Sequence, residues 1–114
     1  MSAPIFVFGS NLTGIHGRGA ALTARLCHGA QLGVGEGITG TAYALPTKHT
    51  PSERMSLPEY TASVGRFLAF ARDHPELTFD LTPVGTGLAG FTLSDLHRAI
   101  AAHGGLPSNV RPLF

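Results

Sequence analysis

Apolar residues in this chain fall into two spacings: short β-branched or aromatic runs, and three- and four-residue repeats separated by glycine, proline and polar breaks. The run at residues 4–8 (PIFVF) predicts a first strand ended by Gly9-Ser10. Ala20, Ala21, Leu22, Ala24, Leu26 and Cys27 then recur at helical spacing, predicting a helix over 18–28 that Gly29 stops, with Cys27 on its buried face. Residues 32–40 (LGVGEGITG) are too rich in glycine for a helix and read as a loop or a bulged edge strand. TAYAL at 41–45 predicts a strand closed by Pro46, followed by an exposed loop over 48–53.

Ser56 is placed to cap a second helix, with Pro58 in its first turn and Glu59 three residues after the cap. Tyr60, Val64, Phe67, Leu68 and Ala71 continue it, and His74-Pro75 ends it. Residues 77–84 (LTFDLTPV) read as a strand, and either Thr92 or Ser94 caps a third helix over 93–103 that turns Leu96, Ala99 and Ile100 inward. The tail NVRPLF either adds a last short strand or lies on the surface. Strands separated by helices predict an α/β fold: one three-layer α/β/α domain over residues 1–114, with a mainly parallel, mixed sheet.

With 114 residues, 43% hydrophobic and 13% charged, the chain has enough apolar surface for one core. Its Lys and Arg residues are dispersed and the net charge is +1, which argues against a broad face for duplex nucleic acid. No basic leader or membrane-length apolar run is present, so a soluble, cytoplasmic protein is expected, with no membrane partner. The single cysteine and the histidine spacing offer no metal site, and no cofactor is expected. His28, His49, His74, His97 and His103 are expected at the surface.

In a parallel sheet, ligands bind outside the carboxyl ends of the strands. The segments after Phe8, Leu45 and Val84 would all lie there. The first is Gly-rich (Gly9, Ser10, Asn11, then His16, Gly17, Gly19 and Ala20) and leads into a helix, whose N-terminal N–H groups suit a phosphate. It lacks the Lys-Ser/Thr of a P-loop. Asn11 is placed either to bond a sugar hydroxyl or to cap the turn. The last segment (Gly85, Thr86, Gly87, Leu88, Ala89, Gly90 and Phe91) leaves successive backbone N–H groups free to cradle an anion. Phe91 is either a stacking surface for a ribose or base, or a core ring. Lys48, the only lysine, stands where these segments meet, placed as an acid, a phosphate partner or a nucleophile, and His16, the only histidine in a glycine loop, is a further catalytic candidate.

Together FGSN, HGRGAALTARLCHGA, YALPTK and PVGTGLAGF resemble the macrodomain family of ADP-ribose-binding modules over nearly the whole chain. The similarity is greatest to the terminal ADP-ribose glycohydrolase branch, and the first loop is also similar to a small phage and bacterial macro-like group. The resemblance implies a cleft with a diphosphate between the two Gly loops and the distal ribose near Asn11 and Lys48. The partner it implies is ADP-ribose or ADP-ribosylated protein or nucleic acid. In that branch the lysine attacks the anomeric carbon and a second-loop aspartate assists. Lys48 matches the lysine, whereas Ala89 stands at the aspartate's place, leaving Asp95 or Glu36 to stand in, both out of register. The implied function is binding of ADP-ribose or a related nucleotide with hydrolysis through Lys48, binding alone, or a phage or bacterial interaction protein that keeps the fold and has lost the ligand.

Overall fold

A computed structural model describes residues 3–15 and 17–114. In chain order its elements are β1 (Ile5–Asn11), α1 (Gly19–Cys27), β2 (Gly37–Thr39), β3 (Ala42–Thr50), β4 (Glu53–Arg54), α2 (Leu57–Asp73), β5 (Phe79–Leu81), α3 (Leu93–Ala102) and β6 (Val110–Pro112). The strands form one mixed sheet in the order β2-β3-β1-β5-β6, with β4 paired to the far end of β3. β1 runs parallel to β3 and β5, and β5 parallel to β6; β2 and β4 are antiparallel to β3.

Strand alternation separates two cores. Ile5, Val7, Tyr43, Leu45, Phe79 and Leu81 face the larger one, which α2 fills with Tyr60, Val64, Phe67, Leu68 and Ala71 and α3 with Leu96, Ala99 and Ile100. Each fully buried Leu or Phe there contributes roughly 1.5–3 kcal/mol of transfer free energy. Phe8, Ala42 and Ala44 face the other side, with Phe6, where α1 covers them through Ala20, Ala21 and Ala24. The small alanine layer lets α1 lie close to the sheet. The chain is a single three-layer α/β/α domain.

Both longer helices start as their sequences dictate. Ser56 and Thr92 are N-caps, each completing a reciprocal capping box, with Glu59 and Asp95 respectively. β1 departs from the expected bounds, since Gly9, Ser10 and Asn11 belong to the strand and not to a turn, paired against Leu45, Pro46 and Lys48 with a bulge between Ser10 and Asn11. β3 likewise runs through Pro46 to Thr50. Pro46 stands between Ala44, where β2 stops, and Lys48, where β4 begins, so its missing N–H costs no ladder bond on that side. The expected loop over 48–53 is instead a hairpin closed at Pro51-Ser52.

β5 is shorter than the expected strand. Thr82 makes the last ladder bond, donating its N–H to the Val7 carbonyl at 3.2 Å with its hydroxyl on the same oxygen at 2.7 Å; Pro83 then has no N–H to give, and the Val84 N–H turns back to the Thr82 carbonyl at 2.7 Å. Cys27 is exposed, contrary to the expected burial, because Ala24 turns toward the sheet and the next residue, His28, closes the end of α1 by stacking on Phe6 at 4.4 Å. His49, His74 and His103 are also partly buried and partnered, by Glu59, by Glu76 and by the Ala99 carbonyl; only His97 of the five is fully at the surface.

Candidate functional site

The chain leaves β1 over one face of the sheet, through α1, and leaves β3 and β5 over the other, through α2 and α3. Neighbouring strands whose connections part to opposite faces open a crevice at their carboxyl ends. A cleft of about 960 Å³ lies there, within the range of small-molecule sites. Three segments wall it: the end of β1 with the loop into α1, the β3–β4 hairpin, and the segment from Thr82 to Ala89.

Gly9, Ser10 and Asn11 line the cleft, as do Gly17, Gly19 and Ala20. His16 lies outside the described residues. The Ser10 hydroxyl donates to the Gly35 carbonyl at 2.5 Å. Asn11 is 7% exposed and its amide organises the turn that follows: Nδ2 donates to the Ile15 carbonyl at 2.9 Å, while Oδ1 accepts from the Thr13 hydroxyl and, at 3.4 Å, from the Ile15 N–H. The middle glycine patch is packed behind this loop. A Cβ on Gly35 would stand 2.6 Å from the Asn11 carbonyl, and the Gly33 N–H donates to Gly14 at 3.0 Å. That patch therefore buttresses the cleft from outside it.

On the opposite wall Gly85, Gly87, Leu88 and Ala89 line the cleft, whereas Thr86, Gly90 and Phe91 do not. Thr86 spends its hydroxyl on the Pro83 carbonyl at 2.7 Å. Phe91 is 4% exposed and stacks on Tyr60 with ring centroids 4.0 Å apart, and the Tyr60 hydroxyl donates to the Val84 carbonyl at 2.8 Å. The two rings form a floor beneath the loop. Burial raises the Tyr60 hydroxyl far above its ordinary pKa, with the Asp95 charge adding to the effect.

The backbone N–H groups of this site are the informative feature. Those of Thr86, Gly90 and Phe91 are bonded within the loop, to Pro83, Gly87 and Gly85, while those of Gly85, Gly87, Leu88 and Ala89 find no acceptor among the described residues. At the facing helix, Arg18 is the N-cap but makes no side-chain capping bond. The first N–H of α1 to be satisfied is that of Leu22, on Arg18, and those of Gly19, Ala20 and Ala21 find no acceptor among the described residues. Two sets of unpaired N–H groups thus belong to residues lining one cleft.

Charge has the same sign. Arg18, Lys48 and Arg54 line the cleft, and no Asp or Glu does so among the described residues. Lys48 pairs in register with Asn11 on one side and Arg54 on the other, and its ammonium donates to the Pro51 carbonyl. Asp95 is absent from the lining: its carboxylate accepts the Thr92 N–H at 2.9 Å to close the capping box, and that bond holds it below the ordinary carboxylate range. Glu36 is also elsewhere, paired with Arg66 at 2.6 Å. No three His, Cys, Asp or Glu side chains converge on a metal site among the described residues.

Arg18 and Arg54 are site residues that the sequence reading did not select. Arg18 carried a usable signal, since it lies inside the Gly-rich turn one residue before the helix. Arg54 carried none, because its place depends on the β3–β4 hairpin. No protein-family model matches this chain, and no curated protein matches its sequence.

Proposed function

We propose that this protein binds ADP-ribose or a related nucleotide in the cleft at the ends of β1, β3 and β5. One observation carries the reading: unpaired N–H groups of the segment from Gly85 to Ala89 and of the first turn of α1 line the same cleft, with Arg18, Lys48 and Arg54 around them and no carboxylate among the described lining residues. Oriented amides and a helix N-terminus stabilise phosphoryl oxygens. A cleft with that donor set and no acidic group suits a dianionic diphosphate better than a neutral or cationic ligand. The motif resemblance of FGSN, YALPTK and PVGTGLAGF to macrodomains supplies the nucleotide.

The site favours a reader over a hydrolase. Lys48 is the group available to attack an anomeric carbon, yet its ammonium is held by Pro51, Ala89 occupies the place expected for an assisting aspartate, and Asp95 serves the α3 cap. Titration calorimetry with ADP-ribose tests the binding reading: saturable heat is expected, and none at millimolar ligand would refute it. Incubation with ADP-ribosylated protein and DNA separates the two forms of the proposal. A reader leaves both intact, whereas turnover that Lys48→Ala abolishes would establish the hydrolase.

A further inference from the structure

We propose that Arg54 is a ligand-contacting specificity residue which, with Lys48 opposite it, makes the cleft select a diphosphate over a single phosphate; this rests on the anion-binding reading above. Arg54 ends β4, and its register partner across the hairpin is Lys48. Two cations directly opposite on an antiparallel pair repel. Neither forms an ion pair among the described residues. Asp95, the carboxylate whose acidity Arg54 helps to increase, is already bound to the N–H of Thr92.

Packing also fixes where the guanidinium sits. Its Cζ lies 5.1 Å from the centroid of Phe91, whose ring is stacked on Tyr60 at 4.0 Å. Arg54 and Tyr60 thus both pack on the Phe91 ring. Gly90 leaves room for this arrangement, since a Cβ there would stand 3.0 Å from Nη1 of Arg54. A guanidinium held against an aromatic face keeps its edge N–H groups free for a bidentate anion contact. The hairpin therefore places a pre-oriented fork beside the unpaired amides of Gly87, Leu88 and Ala89. The amides can satisfy one phosphoryl group, and Arg54 with Lys48 supplies donors for a second.

Calorimetry with inorganic pyrophosphate, inorganic phosphate and ADP-ribose, on wild type, Arg54→Gln and Arg54→Lys, tests this. The expected result is that wild type prefers pyrophosphate to phosphate, and that Arg54→Gln weakens pyrophosphate and ADP-ribose by about tenfold, with phosphate little changed. Arg54→Lys, which keeps the charge and loses the fork, weakens them by about threefold. Arg54 is exposed, so both variants should melt with wild type. Equal affinity of Arg54→Gln and wild type for pyrophosphate, or no preference of wild type for pyrophosphate, overturns the assignment. Arg54-dependent pyrophosphate binding without ADP-ribose binding refutes only the nucleotide reading, and binding of neither by wild type overturns both.

Discussion

Replacing Gly85 by alanine should damage this fold where the same change at Gly87, two residues along the same loop, should not. Gly85 has φ +79°, and a Cβ there would stand 2.7 Å from Cε1 of Tyr60 and 3.2 Å from Cδ2 of Phe91. A left-handed L-residue costs about 1–2 kcal/mol, and overpacking against two buried rings adds about 1–3 kcal/mol. Tyr60 cannot retreat freely, because it is fully buried and its hydroxyl is tied to Val84. A loss of about 3 kcal/mol follows, and for a chain of this length the usual unfolding entropy converts it to a fall in Tm of about 12 °C. Gly87 has no positive φ and meets nothing within 4 Å of an added Cβ, so Gly87→Ala should stay within about 0.5 kcal/mol of wild type. Thermal and urea denaturation of the two variants side by side checks the contrast. Equal stability of Gly85→Ala and Gly87→Ala would refute the claim that the Tyr60–Phe91 floor sets the shape of the loop.

Other outcomes follow from the caps and the buried tyrosines. Ser56→Ala and Thr92→Ala each remove one half of a capping box and should cost about 1 kcal/mol, read by urea denaturation. Burial, with the Glu36 charge adding to it, pushes the Tyr43 hydroxyl up to about 12. The unfolded chain ionises near the ordinary value of about 10, so the stability linked to Tyr43 is present below that pH and is lost as pH rises toward 12. Tyr43→Phe should therefore unfold at higher pH than wild type in an alkaline titration followed by circular dichroism, and an unchanged midpoint would contradict the shift.

Local signals in the chain were enough for the helices. Ser56, Pro58 and Glu59 set the start of α2, and His74 caps its end just before Pro75. Strand limits were harder to read, because they are settled by partners distant in sequence. Gly9-Ser10 looks like a turn in isolation, and becomes strand because β3 extends beside it through Pro46. LTFDLTPV looks like a long strand, and is cut short where Pro83 offers no N–H and the Val84 N–H turns back to the Thr82 carbonyl. Convergence of the loops after β1, β3 and β5 was legible from the parallel topology. Side-chain commitments inside those loops were not. Phe91 went to the floor, Asn11 to its own turn and Asp95 to the α3 cap, while Arg54 reached the cleft through a hairpin that its local sequence, KHTPSER, presents only as a polar loop.

The most direct test of the account is an amide-resolved NMR titration of the 15N-labelled protein with ADP-ribose. Saturable shifts should concentrate at the N–H groups of Gly85, Gly87, Leu88 and Ala89 and of Gly19, Ala20 and Ala21, leaving the amides at the opposite end of the sheet, around Thr78 and Asn109, in place. No shift at millimolar ligand, or saturable shifts that spare both sets of donors, would contradict it.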